Sequence, residues 1–340
     1  LMDVENITFD DLHNVLDRIK GIDVHVVGDT IVDRHTDCTP LGATAKTPTM
    51  SLKKLGSSDF VGGAGIVAKH LASLGGNVTF STMLGQDETG RFAQDDLEAA
   101  GIKLNVLSDE LRPTTLKERF WASDYKLLQV DTLDNNPIST DQQRFFRQCL
   151  SQTASKLTIF SDFRHGIFHS ASIGELTSAI PNTSVKVADT QVSNRWGNVL
   201  DFKEFDLLTP NEQEARFALA DQDTGVRSLA QRLQTESATK NVILKLREKG
   251  VIVHRHPDDR PQCFFHLDSF AHQIVDAVGA GDALLALSSL VLASGGNIVE
   301  ASILGSLAAA ESCAVKGNVP IKIENIHSKL NMLQQHTHTR

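Results

Sequence analysis

The chain has little that would cross-link it, anchor it in a bilayer or draw it to nucleic acid. Its four cysteines, Cys38, Cys149, Cys263 and Cys313, are scattered and form no Cys-x-x-Cys pair. That argues against a disulfide framework or a cysteine zinc site and fits a reducing compartment, so a cytoplasmic location is expected. Long apolar runs are missing: the richest, residues 277–293, is interrupted by Asp282 and two glycines, and no membrane span is expected. No signal peptide is visible. The N-terminus instead places Leu12, Val15, Leu16 and Ile19 on one helical face, with Thr8 as its cap. An excess of positive charge is lacking too: 33 Lys and Arg stand against 42 Asp and Glu, a formal net charge of -9, which disfavours a nucleic-acid binder. The 13 histidines are dispersed, two of them (His336 and His338) in a polar tail, and read as surface residues rather than metal ligands. There is no internal repeat, low-complexity tract or linker.

What is present is an ordinary globular composition, 41% hydrophobic and 22% charged over 340 residues, enough for one large α/β domain or two smaller ones. Short apolar strands at 24–28, 78–84, 156–161, 184–189, 205–208 and 241–246 alternate with amphipathic helices such as 63–74 and 88–100. Two long helices follow at 280–292 and 298–314. This rhythm predicts a mostly parallel central sheet covered on both faces. Two segments break it. Residues 36–60 are rich in Thr, Ser, Lys and Pro, and residues 112–131 read as a hairpin around Ser123-Asp124. Together they predict a small projecting β-sheet able to cover a site or pair with another subunit.

The stretch Asp276-Ala277-Val278-Gly279-Ala280-Gly281-Asp282-Ala283 sets small residues before a long apolar helix and a carboxylate in its first turn. Glycines let backbone amides converge on an anion, and a helix N-terminus adds partial positive charge there. Asp282 suits a base that deprotonates an alcohol while amides hold phosphoryl charge. The same residues would also suit a buried helix with a capping Asp.

Other segments fit in order. Asp33, in Gly28-Asp29-Thr30-Ile31-Val32-Asp33, follows the first strand, where ligands gather in open α/β sheets; a loop Asp paired with Arg34 is the plainer alternative. Gly62-Gly63-Ala64-Gly65 opens a helix and imitates a dinucleotide fingerprint as Gly63-x-Gly65-x-x-Ala68. It lacks a convincing preceding strand and the acidic residue that would hold a ribose, so an NAD-dependent oxidoreductase is a remote reading. Asn211 and Glu214 share a face at a helix start, suited to water around Mg²⁺ or to simple capping. Lys245, Arg247 and Gly250 belong to a turn between strands whose basic residues could face a nucleotide. Lys117 and Arg119 share one face of the hairpin, available to an anionic substrate or to solvent on an edge strand.

Together these pieces resemble the PfkB, or ribokinase-like, carbohydrate kinases, over roughly residues 24–317. The specific part is 276–282. The resemblance implies a three-layer ribokinase-like fold in a single domain spanning 1–340, with Asp282 as catalytic base and Gly279, Ala280 and Gly281 as anion hole. It implies Asn211, Glu214, Lys245, Arg247, Gly250 and Asp276 for nucleotide and Mg²⁺, the metal held through water. Asp33, Gly62, Gly63, Lys117, Arg119 and Asp162 would serve the sugar. Its co-substrate would be ATP, with Mg²⁺ and room for a monovalent cation. A homodimer through the β lid is expected.

Within the family the likeness is greatest to the heptose-phosphate kinase branch, through residues 28–34, 113–131 and Ser161-Asp162-Phe163-Arg164-His165-Gly166. There the kinase is often joined to a nucleotidyltransferase domain, and the Leu1 start leaves room for one upstream. Four positions depart from the pattern: Ile66 replaces a sugar-contacting Asn, His165 a Lys, Gln129 an Arg, and Lys245 a Thr of the nucleotide loop. They bear on the sugar's identity and keep a second class open, a sugar- or nucleotide-binding regulatory module of the same fold.

Overall fold

Strand residues that alternate between two apolar faces build a sheet buried from both sides. The computed structural model describes all residues except 44–48, 124, 192–196, 257–262, 272 and 339–340. Its strands, in chain order, are β1 (Asp23–Gly28), β2 (Thr30–Ala43), β3 (Met50–Gly63), β4 (Asn77–Gly85), β5 (Lys103–Asp109), β6 (Thr115–Ala122), β7 (Tyr125–Thr132), β8 (Leu157–Asp162), β9 (Val185–Thr190), β10 (Leu207–Leu208), β11 (Asn241–Lys245), β12 (Val251–Arg255) and β13 (Phe264–Leu267). Nine form one sheet in the order β13-β12-β11-β10-β9-β8-β1-β4-β5. Neighbours are parallel except for β11–β12 and β12–β13.

Adjacent residues on each strand point to opposite layers. Val26, Ile159 and Ile243 pack with helices Ala64–Ser73, Ala280–Ala293 and Ile298–Ser312, while Val27, Phe160 and Leu244 pack with Thr140–Gln152, Ser170–Ser178 and Val226–Ser237. Phe160, Phe168, Phe202 and Phe205 form a cluster of tilted and edge-on rings in the second layer, each such pair adding about 0.5–1.5 kcal/mol beyond area burial. The first long helix, Phe9–Arg18, is capped as the sequence implies. Thr8 Oγ1 accepts the Asp11 amide at 3.1 Å and the Asp11 carboxylate accepts the Thr8 amide at 2.8 Å, an arrangement worth about 1 kcal/mol.

The second sheet has the order β3-β2-β6-β7. It reaches further into the protein than 36–60 suggests, because β2 starts at Thr30, one residue past the end of β1, and β3 runs to Gly63. Asp33 therefore lies on a strand rather than in a loop. β6 is bonded on both sides, to β2 and β7, so Lys117 and Arg119 do not occupy an edge strand. Of the hairpin turn, Ser123 has φ 55° and Asp124 lies outside the described residues, as does part of the 36–60 segment.

The histidines correct the surface reading. His25, His70, His165 and His254 are buried. His25 Nε2 bonds Ser81 Oγ at 2.7 Å, and His70 Nδ1 accepts the Ile321 amide at 3.1 Å. Burial pushes His25 down to about 4 and His70 to about 3. Unfolded histidine titrates near 6.5. Below that pH the unfolded chain takes up protons that the native chain refuses, so stability falls with pH, by about 1.4 kcal/mol per pH unit for each residue until its native value is reached. Urea denaturation between pH 7 and pH 5 should show this loss. A His70→Asn variant should lose its share of the slope, and an unchanged slope would contradict the assignment.

Candidate active site

The Ala280–Ala293 helix begins at Gly279, whose φ of 83° makes it the N-cap residue and suits glycine. The first-turn amides beyond it have no intrahelical carbonyl to reach. Asp282 stands in that turn with only 8% of its surface exposed. Gly279, Ala280, Gly281 and Asp282 border a cavity of about 540 Å³. Its lining also includes the apolar residues Val251, Ile274, Ala277, Leu284, Ala310 and Cys313.

Lys245, the last residue of β11, reaches into this cavity. Its Nζ lies 3.2 Å from where a Cβ on Gly281 would stand, so the lysine uses the room that glycine leaves. The ammonium donates to Asp189 Oδ1 at 3.0 Å, and the same oxygen accepts from Thr209 Oγ1 at 2.7 Å. Burial pushes Asp282 up to about 8. The charges of Asp189, Asp33 and Glu214 act in the same direction, and Lys245 opposes them. Burial works against the Lys245 ammonium, yet Asp189, Glu214 and Asp282 hold its pKa above the ordinary lysine value.

Asn211 and Glu214 form a reciprocal cap on helix Glu212–Leu219: Asn211 N donates to Glu214 Oε2 at 2.7 Å, and Glu214 N to Asn211 Oδ1 at 2.9 Å. Both border the cavity, as do Arg247 and Gly250. Gly250 has φ 81°, and a Cβ there would come 2.0 Å from the Leu267 carbonyl oxygen, which confines the position to glycine. Among the described residues, no group of three or more His, Cys, Asp or Glu is placed to hold a metal ion.

Asp33, 6% exposed, lies toward the second sheet. Its Oδ1 pairs with Arg119, and its Oδ2 accepts from Asn318 Nδ2 at 2.8 Å. Arg34 pairs instead with Asp59, through two bonds of 2.7 Å. Lys117 is in register with Asp33 on one side and Asp131 on the other. Gly62 leaves space beside them, since a Cβ there would stand 2.6 Å from Asp33 Oδ2 and 2.8 Å from Asn318 Nδ2. Gly63, with φ 61°, turns the chain into helix Ala64–Ser73.

Asp276 and the residues expected at the sugar, Asp33, Gly62, Gly63, Lys117, Arg119 and Asp162, do not line the Asp282 cavity. The Asp276 carboxylate clasps the amides of Val278 at 3.0 Å and Gly317 at 3.2 Å, joining the helix approach to the 317–319 loop. Asp162 is fully buried, its carboxylate accepting from the Arg164 amide at 2.7 Å and Asn198 Nδ2 at 2.8 Å. It fixes the loop after β8 and does not reach the cavity. Ile66 is core, and Gln129 Nε2 turns to Asp131 Oδ1 at 2.8 Å. Sequence reasoning missed Asp189 and Asn318. Asp189 had a usable signal, its position at the carboxyl end of a central strand; Asn318 lies in the loop between helices Ile298–Ser312 and Ile323–His338, with no spacing to mark it.

Comparison with known proteins gives the same architecture. The pfkB family carbohydrate kinases match residues 22–323. The bifunctional protein HldE of Campylobacter concisus is 25% identical over 320 residues, covering 92% of this chain; the chain spans 65% of that relative's length. Arabidopsis thaliana ribokinase complexed with ribose and ATP superposes with a TM-score of 0.72 at 18% identity, over 91% of this chain and 99% of that one. Escherichia coli phosphofructokinase-2 in complex with fructose-6-phosphate gives 0.74 at 15% identity, over 92% and 99%. With a ribokinase-like fold and a family match across most of its length, the chain belongs to the pfkB family of carbohydrate kinases, phosphotransferases that act on an alcohol group.

Proposed function

We propose that the chain transfers the γ-phosphate of ATP to a hydroxyl of a sugar or sugar phosphate, with Asp282 as general base. The observation that carries this is the buried Asp282 carboxylate in a helix first turn, beside glycine amides and the Lys245 ammonium, on the wall of a cavity of about 540 Å³. The acceptor hydroxyl gives its proton to Asp282 as its oxygen bonds to the γ-phosphorus. The bond from that phosphorus to the bridging oxygen breaks, and ADP leaves with the electron pair. Amides at Gly279, Ala280 and Gly281 hold the charge on the equatorial oxygens, where catalysis is mostly positioning and electrostatics. The apolar side chains of the lining suit the adenine.

Asn211 and Glu214 fit Mg²⁺ held through water and nucleotide phosphates, because that ion needs few protein ligands. Mg²⁺ would neutralise phosphate charge. The test is ADP release from Mg²⁺-ATP with free and phosphorylated pentoses, hexoses and heptoses, a heptose phosphate first. Replacing potassium by choline in the same assay reads any monovalent-cation requirement. Asp282→Asn should keep the fold and lower turnover on the order of 10²- to 10⁴-fold; unchanged turnover would reject the base. Silence across the panel with nucleotide binding intact would favour a regulatory binding module.

The base works only when ionised. With Asp282 near 8, kcat/KM should rise about tenfold per pH unit below that value and level off above it. Lys245 holds the value down, so Lys245→Met should move the rising limb to higher pH. A limb that stays in place, or moves lower, would separate Lys245 from the base.

We further infer a homodimer through the second sheet. Cross-strand pairing sets Leu128 and Val130 on the face opposite Arg119, and both are exposed there, with Leu41, Leu55 and Tyr125 also exposed on the same sheet. Exposed apolar side chains on a projecting sheet are the kind of surface that association covers. Light scattering should give twice the 37.1 kDa chain mass, and Leu128→Glu with Val130→Glu should return it to the monomer. A monomeric wild type at micromolar concentration would overturn the dimer.

A further inference from the structure

Asn318 joins the two halves of the site. Its Nδ2 donates to Asp33 Oδ2 at 2.8 Å, and since a carboxylate only accepts, this bond fixes which end of the amide is which. The other end, Oδ1, is buried and has no hydrogen-bond partner. It lies 3.2 Å from where a Cβ on Gly279 would stand, beside the residue that opens the Asp282 helix. The side chain is 8% exposed, and an unsatisfied carbonyl oxygen at that depth costs free energy unless a ligand answers it.

Its position is enforced by its neighbours. The Gly317 amide is held by Asp276, Phe60 packs against Gly317 at 3.4 Å from the position of its Cβ, and the Ile321 amide is held by His70. Gly62 has no side chain, and any Cβ would collide with Asp33 and Asn318.

We propose that Asn318 is an acceptor-binding residue: Oδ1 takes a hydrogen bond from the acceptor hydroxyl next to the one that is phosphorylated, while Nδ2 holds Asp33 ready for the same sugar. This rests on the kinase reading above. Asp33 and Asn318 Oδ1 present acceptors to the substrate, so they select a vicinal diol and reject an anionic group at that end. A phosphate on the substrate must then lie away from Asn318, toward the cations of the second sheet.

The experiment compares wild type, Asn318→Ala and Asn318→Ser with ribose, fructose 6-phosphate and a heptose phosphate. It uses steady-state ADP release, and calorimetric titration of the same sugars in the presence of ADP. The serine variant, smaller in its disturbance, serves where alanine lowers the melting temperature sharply. The expected result is a tenfold or larger rise in acceptor KM with the KM for ATP changed less than twofold. Monodeoxy analogues of the acceptor should be discriminated by wild type and no longer by the variant, which a purely structural role would not produce. An unchanged acceptor KM, or equal loss for ATP and acceptor, overturns the assignment. If the wild type releases no ADP with any sugar, the kinase reading fails and titration alone decides. Sugar binding weakened by Asn318→Ala then still supports the residue's role; equal binding, or none to the wild type, overturns it.

Discussion

Three acidic side chains, Asp189, Glu214 and Asp282, act on the ammonium of Lys245. Left unpaired, each buried carboxylate would cost several kcal/mol. Each has its own answer. Asp189 is held by Lys245 and Thr209, and Glu214 by the Asn211 amide it caps. Asp282 has no such pair, and it meets burial by keeping its proton to about pH 8. The protonated form lowers the negative charge of the cavity; under the proposed mechanism it leaves a base whose pKa is close to neutral pH, where general-base catalysis works best.

The same constraint shapes the approach of a nucleotide. A phosphate entering beside Gly281 meets the helix N-terminus and Lys245 together. It competes with Asp189 for the ammonium, and Asp189 keeps its bond from Thr209 when it loses that partner. Under the proposed mechanism the charge needed in the transition state is preset by the fold, and bringing it to bear requires only an exchange of hydrogen bonds.

The acceptor side depends on a different piece of covalent geometry. Asp33 is carried by β2, which continues from the central strand β1 through the single residue Asp29. Asp29 is itself pinned: its carboxylate accepts from the amides of Phe163 at 3.0 Å and His165 at 3.2 Å, and burial together with the charge of Asp162 pushes it up to about 7. The second sheet is thereby anchored at its root to the end of β8. Asp162 lies fully buried at the end of β8, whereas Asp33 is carried out onto the second sheet.

Legibility followed periodicity. The buried parallel strands and the long apolar helices were readable because nearly every position on them is apolar. β5 escaped because it is a half-buried edge strand, Lys-Leu-Asn-Val-Leu-Ser-Asp, with no clean alternation. The alternation in β6 gave the shared face of Lys117 and Arg119, but alternation carries no information about what lies on either side, and the strand is internal. Histidines were read by type, and type fails where an imidazole finds a buried partner, as His25 does in Ser81. Asp276 stands in the run before the helix, where its two carboxylate oxygens accept from the Val278 and Gly317 amides and tie that run to the 317–319 loop. Asn318 is a side chain with no motif whose importance comes from three-dimensional contact alone.

Lys245 draws these threads together. In sequence it is a departure from the family's pattern, at a strand end that could have been an ordinary charged turn. In space it is paired with a residue far along the chain: the lysine fits because position 281 is glycine, since a side chain there would approach Nζ to 3.2 Å. Glycine at 281 thus serves twice, letting the backbone approach a phosphate and letting an ammonium stand beside it. A cation introduced at 245 without carboxylates to receive it would be an unpaired buried charge. With Asp189, Glu214 and Asp282 already converging there, it relieves repulsion that the folded chain would otherwise carry. The departure therefore falls where the surrounding charge can absorb it, and it lowers the pKa of Asp282, the proposed base, through charge alone.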